Sequence, residues 1–339
     1  MNKALKIGII GAGRIGRLHA ENLVASVSEA KVTAIADPFM TGQTQAWASS
    51  LDIACFRDAS EVMGNPEIDA VFICSSTNTH ADYIMGAAKN GKHVFCEKPI
   101  DFDLKKTKKA LDIVEKSGVK LQLGFVRRFD HNHKKVRDTV ASGMLGKPHV
   151  IRITSRDPEP PPFAYARVSG GLFMDMMIHD FDMARYLSGS EVLEVMAYGD
   201  ALISPKLKEI DDIDVATVMI KFENGAFGII DNSRKASYGY DQRTEVHCES
   251  GCVRTENDLI NCASISTAQG VMCEKPTWFF LERYNDAFIA EERAFINSVI
   301  DNKEISVSGI DGIKSVLIAM AAKESLKRNR PVSISEIEI

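Results

Sequence analysis

No run of about 18 uncharged apolar residues occurs in the 339-residue chain. A bilayer-spanning helix needs roughly that length, so no membrane partner is expected. There is no basic block either: 41 Lys and Arg stand against 46 Asp and Glu, for a net charge of −5. Phosphate neutralisation needs clustered cations, so no nucleic-acid partner is expected. The opening MNKALKIGIIGAG runs into a strand-like segment without an apolar core ending at a small-residue cleavage site, so no signal peptide is read. Cysteines number seven, and the paired Cys-x-x-Cys spacing of a structural zinc site is missing. Cys55, Cys74 and Cys96 sit in or beside apolar runs, as small core residues do. Cys248, Cys252, Cys262 and Cys273 complete a set best read as reduced thiols of a cytoplasmic protein. Internal repeats, low-complexity tracts and long linkers are absent too. What is left is an ordinary soluble composition, with length for about two domains.

The first third has the order of a nucleotide-binding unit. LKIGII (5–10) is an apolar strand, and GAGRIG follows with Gly11, Gly13 and Gly16 in GxGxxG spacing. Ile15, Leu18, Ala20 and Leu23 continue an apolar face at helical spacing. KVTAIAD then reads as a second strand ending in Asp37, about 20 residues past the last glycine. Alone, GxGxxG says little; strand, helix, strand and terminal acid in this order say much more. Gly11 allows the turn, Gly13 lets backbone approach a pyrophosphate, and Gly16 lets helix and strand close up. The helix N-terminus, with Ala12, Arg14 and Ile15 in the same loop, offers N–H groups to phosphate. Asp37 suits a ribose diol and repels a 2′-phosphate, and Pro38 follows where an NADP site would place an arginine. The expected cofactor is NAD.

The alternation continues through IDAVFICSS (68–76), a helix closed by Gly91, KHVFCEKP (92–99), a helix at 104–118 and VKLQLGF (119–125). The expected fold is therefore α/β, beginning with a Rossmann doubly wound parallel sheet over 1–125. Ser75, Thr77, Asn78 and His80 end or follow one strand, and Glu97 and Lys98 end another. Carboxyl ends of such strands bind ligands, so all six are cofactor candidates.

Beyond a helix near 130–142 the pattern turns to long β-type segments, with an Asn224-Gly225 hairpin turn. Two helices, roughly 285–302 and 310–328, close the chain. The expectation for 126–339 is one substrate-binding and oligomerisation α/β domain on a large, mostly antiparallel open sheet. A short link suggests a cleft between the domains.

GGLFMDMMIHDFDMARY (170–186) holds Asp175, His179, Asp180 and Asp182 among apolar residues. Three readings compete: an acidic helix start, a metal site, or a proton-transfer pair. Asp175 and His179 are four apart, so an unbroken helix would put them on one face. Asp175 could also cap that helix. Asp182 could pair with Arg185.

GIIGAGRIGRLHAENL, CEKP, RRFD (127–130) and DMMIHDFDMARY together resemble the Gfo/Idh/MocA family of oxidoreductases, most of all its inositol 2-dehydrogenase branch. The resemblance covers nearly the whole chain. It implies NAD-linked oxidation of a ring hydroxyl of a cyclitol or sugar, most simply myo-inositol to 2-keto-myo-inositol. It also implies a role in inositol catabolism and a homodimer or homotetramer formed through the open sheet. Lys98 matches the family's catalytic lysine, and Asp175 and His179 its aspartate–histidine pair. Tyr238 of YGYD and Arg127 match residues near the sugar. Asp157, Tyr165 and Arg167 are further pocket candidates. Where some inositol dehydrogenases read His-Arg-Asn-Pro, this chain has Ser155-Arg156-Asp157-Pro158, which leaves the cyclitol open.

The chemistry needs a base at the hydroxyl and a stabilised oxyanion. Histidine titrates near working pH, so His179 is the expected base, Asp175 its orienting carboxylate and Lys98 the cation. No metal is expected. Aldose, scyllo-inositol and D-chiro-inositol dehydrogenation remain open, as do NAD-dependent glycoside hydrolysis and a non-catalytic cofactor sensor.

Overall fold

LKIGII forms β1 (Leu5–Ile10), with Ile7, Ile9 and Ile10 fully buried. Five strands join it: β2 (Ala30–Ala36), β3 (Ala54–Phe56), β4 (Ala70–Ile73), β5 (His93–Glu97) and β6 (Leu121–Gly124). All pair in parallel, in the order β3-β2-β1-β4-β5-β6. A parallel sheet is covered on both faces, which is why β4 is the uninterrupted apolar run AVFI. The order reverses between β1 and β4, and ligands of such folds bind at the carboxyl ends beside that point. The expected doubly wound sheet is therefore present. The short β3 had no signal in the sequence: three residues show neither alternation nor a long apolar run.

The computed structural model describes residues 4–337. Its first unit comprises the residues up to Val126 together with Asp286–Lys314. The second comprises Arg127–Asn285 and the residues from Ser315. The chain thus returns to its first unit late, whereas the sequence reading placed everything after 125 in one domain. Packing explains the return. Helix Asn285–Ile300 buries Phe295 and Ile296 in the same core as Phe72 and Phe95. Phe72 and Phe95 stack at 4.6 Å, and Phe295 meets both rings edge-on.

The second unit is built on β7 (Pro148–Arg156), β8 (Val192–Asp200), β9 (Val215–Phe222), β10 (Phe227–Ser233), β11 (Asp241–Cys248) and β12 (Gly251–Arg254). A hairpin of β13 (Ser264–Thr267) and β14 (Gly270–Cys273) stands apart, and β15 (Val332–Ser333) adds an edge. The large sheet runs β12-β11-β7-β10-β9-β8-β15. It is antiparallel, as expected, except between β7 and β10, which are parallel. Alternation is clean in β9, where Ala216, Val218, Ile220 and Phe222 point to the core. Helix Ile178–Ser188 packs against β7.

All seven cysteines are free thiols. Among the described residues, no helix is long and apolar enough to cross a membrane.

Candidate functional site

The GAGRIG turn joins β1 to helix Arg14–Ser26. Gly11 has φ +102°, and a Cβ there would stand 2.7 Å from the Cys74 carbonyl. A Cβ on Gly16 would sit 1.9 Å from the Gly11 oxygen. Neither position admits a side chain. Gly13 differs: a Cβ there would meet open space, and no side chain caps the helix that it begins. Backbone donors of that first turn are therefore presented to whatever occupies the space. Asp37 closes the other side, accepting from the Ala12 N–H at 2.7 Å and the Phe39 N–H at 2.8 Å. Its carboxylate has further lone pairs for a ribose diol. An open glycine face, an uncapped helix start and a fixed acid suit a dinucleotide.

The other cofactor candidates divide. Ser75 follows β4, and its hydroxyl bonds that of Thr79 at 2.7 Å. Thr77 and Asn78 lie in the first turn of helix Thr77–Lys89. His80 is buried, its ring nitrogens 2.8 Å from the Pro99 oxygen and 2.9 Å from the Ser75 oxygen. It ties the turn after Lys98 to the end of β4. Glu97 ends β5 with its carboxylate toward His19 Nε2 at 3.0 Å. Lys98 is half-buried at the carboxyl end of the parallel sheet.

In the second unit, the parallel pairing of β7 with β10 sets Arg156 beside Ser233. The residues just beyond, Asp157 and Arg234, thus leave the sheet side by side at one end. The Asp157 N–H donates to the Ser233 oxygen at 2.9 Å. Arg234, 6% exposed, donates through Nη1 to Asp157 at 3.1 Å and through Nη2 to Asp175 at 2.7 Å. Tyr165 Oη donates to the other Asp175 oxygen at 2.8 Å. Burial raises the Asp157 carboxyl above its ordinary value, Arg234 opposes that rise, and the Asp175 charge adds to it. Arg234 is the residue that sequence reasoning missed. In DNSRKA it looks like a surface cation, and only the parallel register shows otherwise.

Asp175 and His179 are not on one unbroken helix. Leu172–Asp175 is a short helix and Ile178–Ser188 a second. Between them the Met177 N–H bonds Leu172, five residues back, and the His179 N–H bonds Met176, three back. The four-residue spacing therefore does not carry the expected face. Such irregular turns recur at functional sites. Nor does Asp175 cap a helix: Gly171 holds that place, and Asp212 accepts from the Leu172 N–H at 2.9 Å. His179 is half-buried near the start of the second helix.

The remaining acids of the stretch are structural. Asp180 is fully buried against Arg127 Nη1 at 2.5 Å and Asn232 Nδ2 at 2.9 Å. Asp182 takes both arms of Arg128, at 2.6 and 2.8 Å, and Arg185 bonds both oxygens of Glu191. Arg127, 5% exposed, also donates to Ser155 at 3.2 Å. It lies within this buried network instead of presenting its guanidinium openly. Tyr238 is 40% exposed and held at its hydroxyl, accepting from Arg156 at 3.1 Å and donating to Asp241 at 2.6 Å. Arg167 is exposed.

A doubly wound sheet with a GxGxxG cradle and a strand-terminal acid, joined to a second α/β unit, defines an NAD-binding oxidoreductase. Residues 5–125 match the family model described as an oxidoreductase family with an NAD-binding Rossmann fold, and residues 133–254 match the GFO/IDH/MocA C-terminal domain. The chain belongs to the Gfo/Idh/MocA family and is an NAD-dependent oxidoreductase, as its motifs implied. It is 49% identical to the uncharacterized oxidoreductase YrbE of Bacillus subtilis, over 100% of this chain and 99% of that one. It is 44% identical to the myo-inositol 2-dehydrogenase of Thermotoga maritima, over 98% and 99%. The crystal structure of scyllo-inositol dehydrogenase from Lactobacillus casei, with bound NAD(H) and scyllo-inositol, is similar at a TM-score of 0.91 and 31% identity, covering 98% of this chain and 100% of that one.

Proposed function

We propose that the protein oxidises one ring hydroxyl of a cyclitol, in the first instance myo-inositol to 2-keto-myo-inositol. The reading rests above all on its 44% identity, end to end, with a myo-inositol 2-dehydrogenase. Oxidation of an alcohol removes a proton from oxygen and a hydride from carbon. Bound NAD supplies the acceptor for the hydride. The rest falls to the chain. His179 accepts the hydroxyl proton, and Asp175 orients the imidazole and steadies its charged form. Lys98 stabilises the negative charge that develops on the substrate oxygen. Arg234 and Tyr165 grip Asp175 from its two oxygens, which fixes the carboxylate before substrate arrives.

Around these, Gly11, Ala12, Gly13, Arg14, Ile15, Gly16 and Asp37 bind the dinucleotide, with Ser75, Thr77 and Asn78 beside it. Tyr238, Tyr165 and Asp157 border the polyol. Arg127 acts on it indirectly, through Asp180 and Ser155. Exposed Tyr198, Met219 and Phe227 on the outer face of the large sheet support self-association as a dimer or tetramer. The setting is cytoplasmic inositol catabolism.

scyllo-Inositol is the second reading, favoured by the likeness to an enzyme crystallised with that isomer. Near-ultraviolet absorbance of reduced cofactor tests both. The purified protein is offered NAD or NADP with myo-, scyllo- or D-chiro-inositol, or glucose. Reduction of NAD by myo-inositol is expected to be the most efficient. If no inositol reduces either cofactor, the proposal fails.

A further inference from the structure

The first unit holds a buried ionisable cluster that the proposed reaction leaves unused. His19, on helix Arg14–Ser26, is 0% exposed. Its Nδ1 lies 2.7 Å from Glu292 Oε1 and its Nε2 3.0 Å from Glu97 Oε1. The rings of Phe72, Phe95 and Phe288 wall it in, with centroids 5.5, 5.1 and 5.7 Å away. Burial raises the Glu292 carboxyl and His19 opposes that rise; with both carboxylates ionised, and so only accepting, the ring donates from both nitrogens. Burial alone would lower its pKa; Glu292 and Glu97 raise it to about 10.

Glu291 is also fully buried, and neither of its carboxyl oxygens has a hydrogen-bond partner among the described residues. Burial pushes that carboxyl well above its ordinary value; Glu97 and Glu292 add to the rise and His19 opposes it. The other titratable groups here are Cys74 and Cys96, which burial holds as neutral thiols, with His80 and Lys98 near Glu97. A buried set of acids therefore keeps a charged imidazole in a site that would otherwise expel it.

Glu97 pairs with Gly124 at the last position of β5, and Lys98 comes next. Whatever fixes the Glu97 carboxylate also fixes the strand end from which Lys98 departs. We infer that His19, hydrogen-bonded at once to Glu97 and Glu292, is a positioning residue for Lys98, and that Glu291 completes its cluster as a neutral acid. This rests on reading Lys98 as the oxyanion-stabilising group.

Imidazole nitrogen NMR on the whole protein tests the charge state, with His19 assigned by its contacts to the Phe72 and Phe95 rings. At about pH 8.5, where an ordinary histidine is neutral, both His19 nitrogens are expected to be protonated. A neutral His19 ring overturns the inference. Glu292→Gln tests the positioning, with NAD and myo-inositol as reactants. It should lower kcat roughly tenfold to a hundredfold at alkaline pH, with recovery as the pH falls and His19 reprotonates, and little change in KM. Unchanged kcat across pH overturns the positioning role, as does a stoichiometric bound cation that takes the place of the Glu291 proton. Lys98→Met separates the two layers. If it turns over normally, the reading of the site fails, and the positioning role with it. A neutral His19 in a protein that needs Lys98 sinks only the inference.

Discussion

Arg234 carries one positive charge between the carboxylates of Asp157 and Asp175, all three largely shielded from water. Removing one partner from a buried ion pair leaves the others uncompensated, at a cost of about 3–5 kcal/mol. Arg234→Met should lose stability on that scale in urea denaturation, and Arg234→Lys less, because the charge stays while the two-armed fork is lost. Equal midpoints for wild type and Arg234→Met would contradict the assignment. Asp37 makes a second prediction. Replacing it by serine removes the charge that repels a 2′-phosphate, so the preference for NAD over NADP in kcat/KM should fall by about tenfold or more. At this scale the sequence was uneven. Gly11 and Gly16 were legible because their roles follow from local backbone geometry. Arg234 was not, since its partners are 59 and 77 residues away and meet it only through strand register.

Most elements followed from their periodicity: β1, the helices Leu104–Ser117 and His131–Ala141, and the β9–β10 hairpin lie close to where pattern and turn residues put them. The break after Asp175 did not show. A turn that slips from an i→i+4 to an i→i+5 bond leaves no mark in a run of Met and Ile. Helix His131–Ala141 carries a pH signature. Burial lowers the pKa of His133 to about 4; Asp130 opposes the fall, and Arg283 and Arg127 reinforce it. The folded pKa lies below the unfolded one, so the unfolded chain binds more protons between about pH 4 and 6.5. The contribution to stability is therefore whole above about pH 6.5 and is lost as pH falls toward 4, by at most about 1.4 kcal/mol per pH unit. Urea midpoints measured from neutral to mildly acidic pH should fall less steeply in His133→Gln than in wild type. Identical slopes would exclude His133 as a source.

For the whole molecule, the class of each sheet could be read from the alternation of apolar runs, but the order of its strands and the return of Asp286–Lys314 to the first unit could not. That return depends on Phe295 and Ile296 fitting a core made by residues more than 170 positions earlier. The outer face of the large sheet makes a prediction at this scale. Met219 sits opposite Ile229 on that face and is 54% exposed. On the proposed dimer or tetramer, a lysine there should break the association, seen as a lower mass in light scattering after size exclusion, with the fold intact by circular dichroism. An unchanged mass would contradict self-association through this face. The central claim is that proton transfer from a cyclitol hydroxyl runs through His179. The most direct measurement is the turnover of His179→Ala with NAD and the best inositol substrate, at a pH where wild type is fully active. The account predicts a loss of kcat of about a hundredfold to ten-thousandfold, with NADH binding retained. Turnover near that of wild type would contradict it.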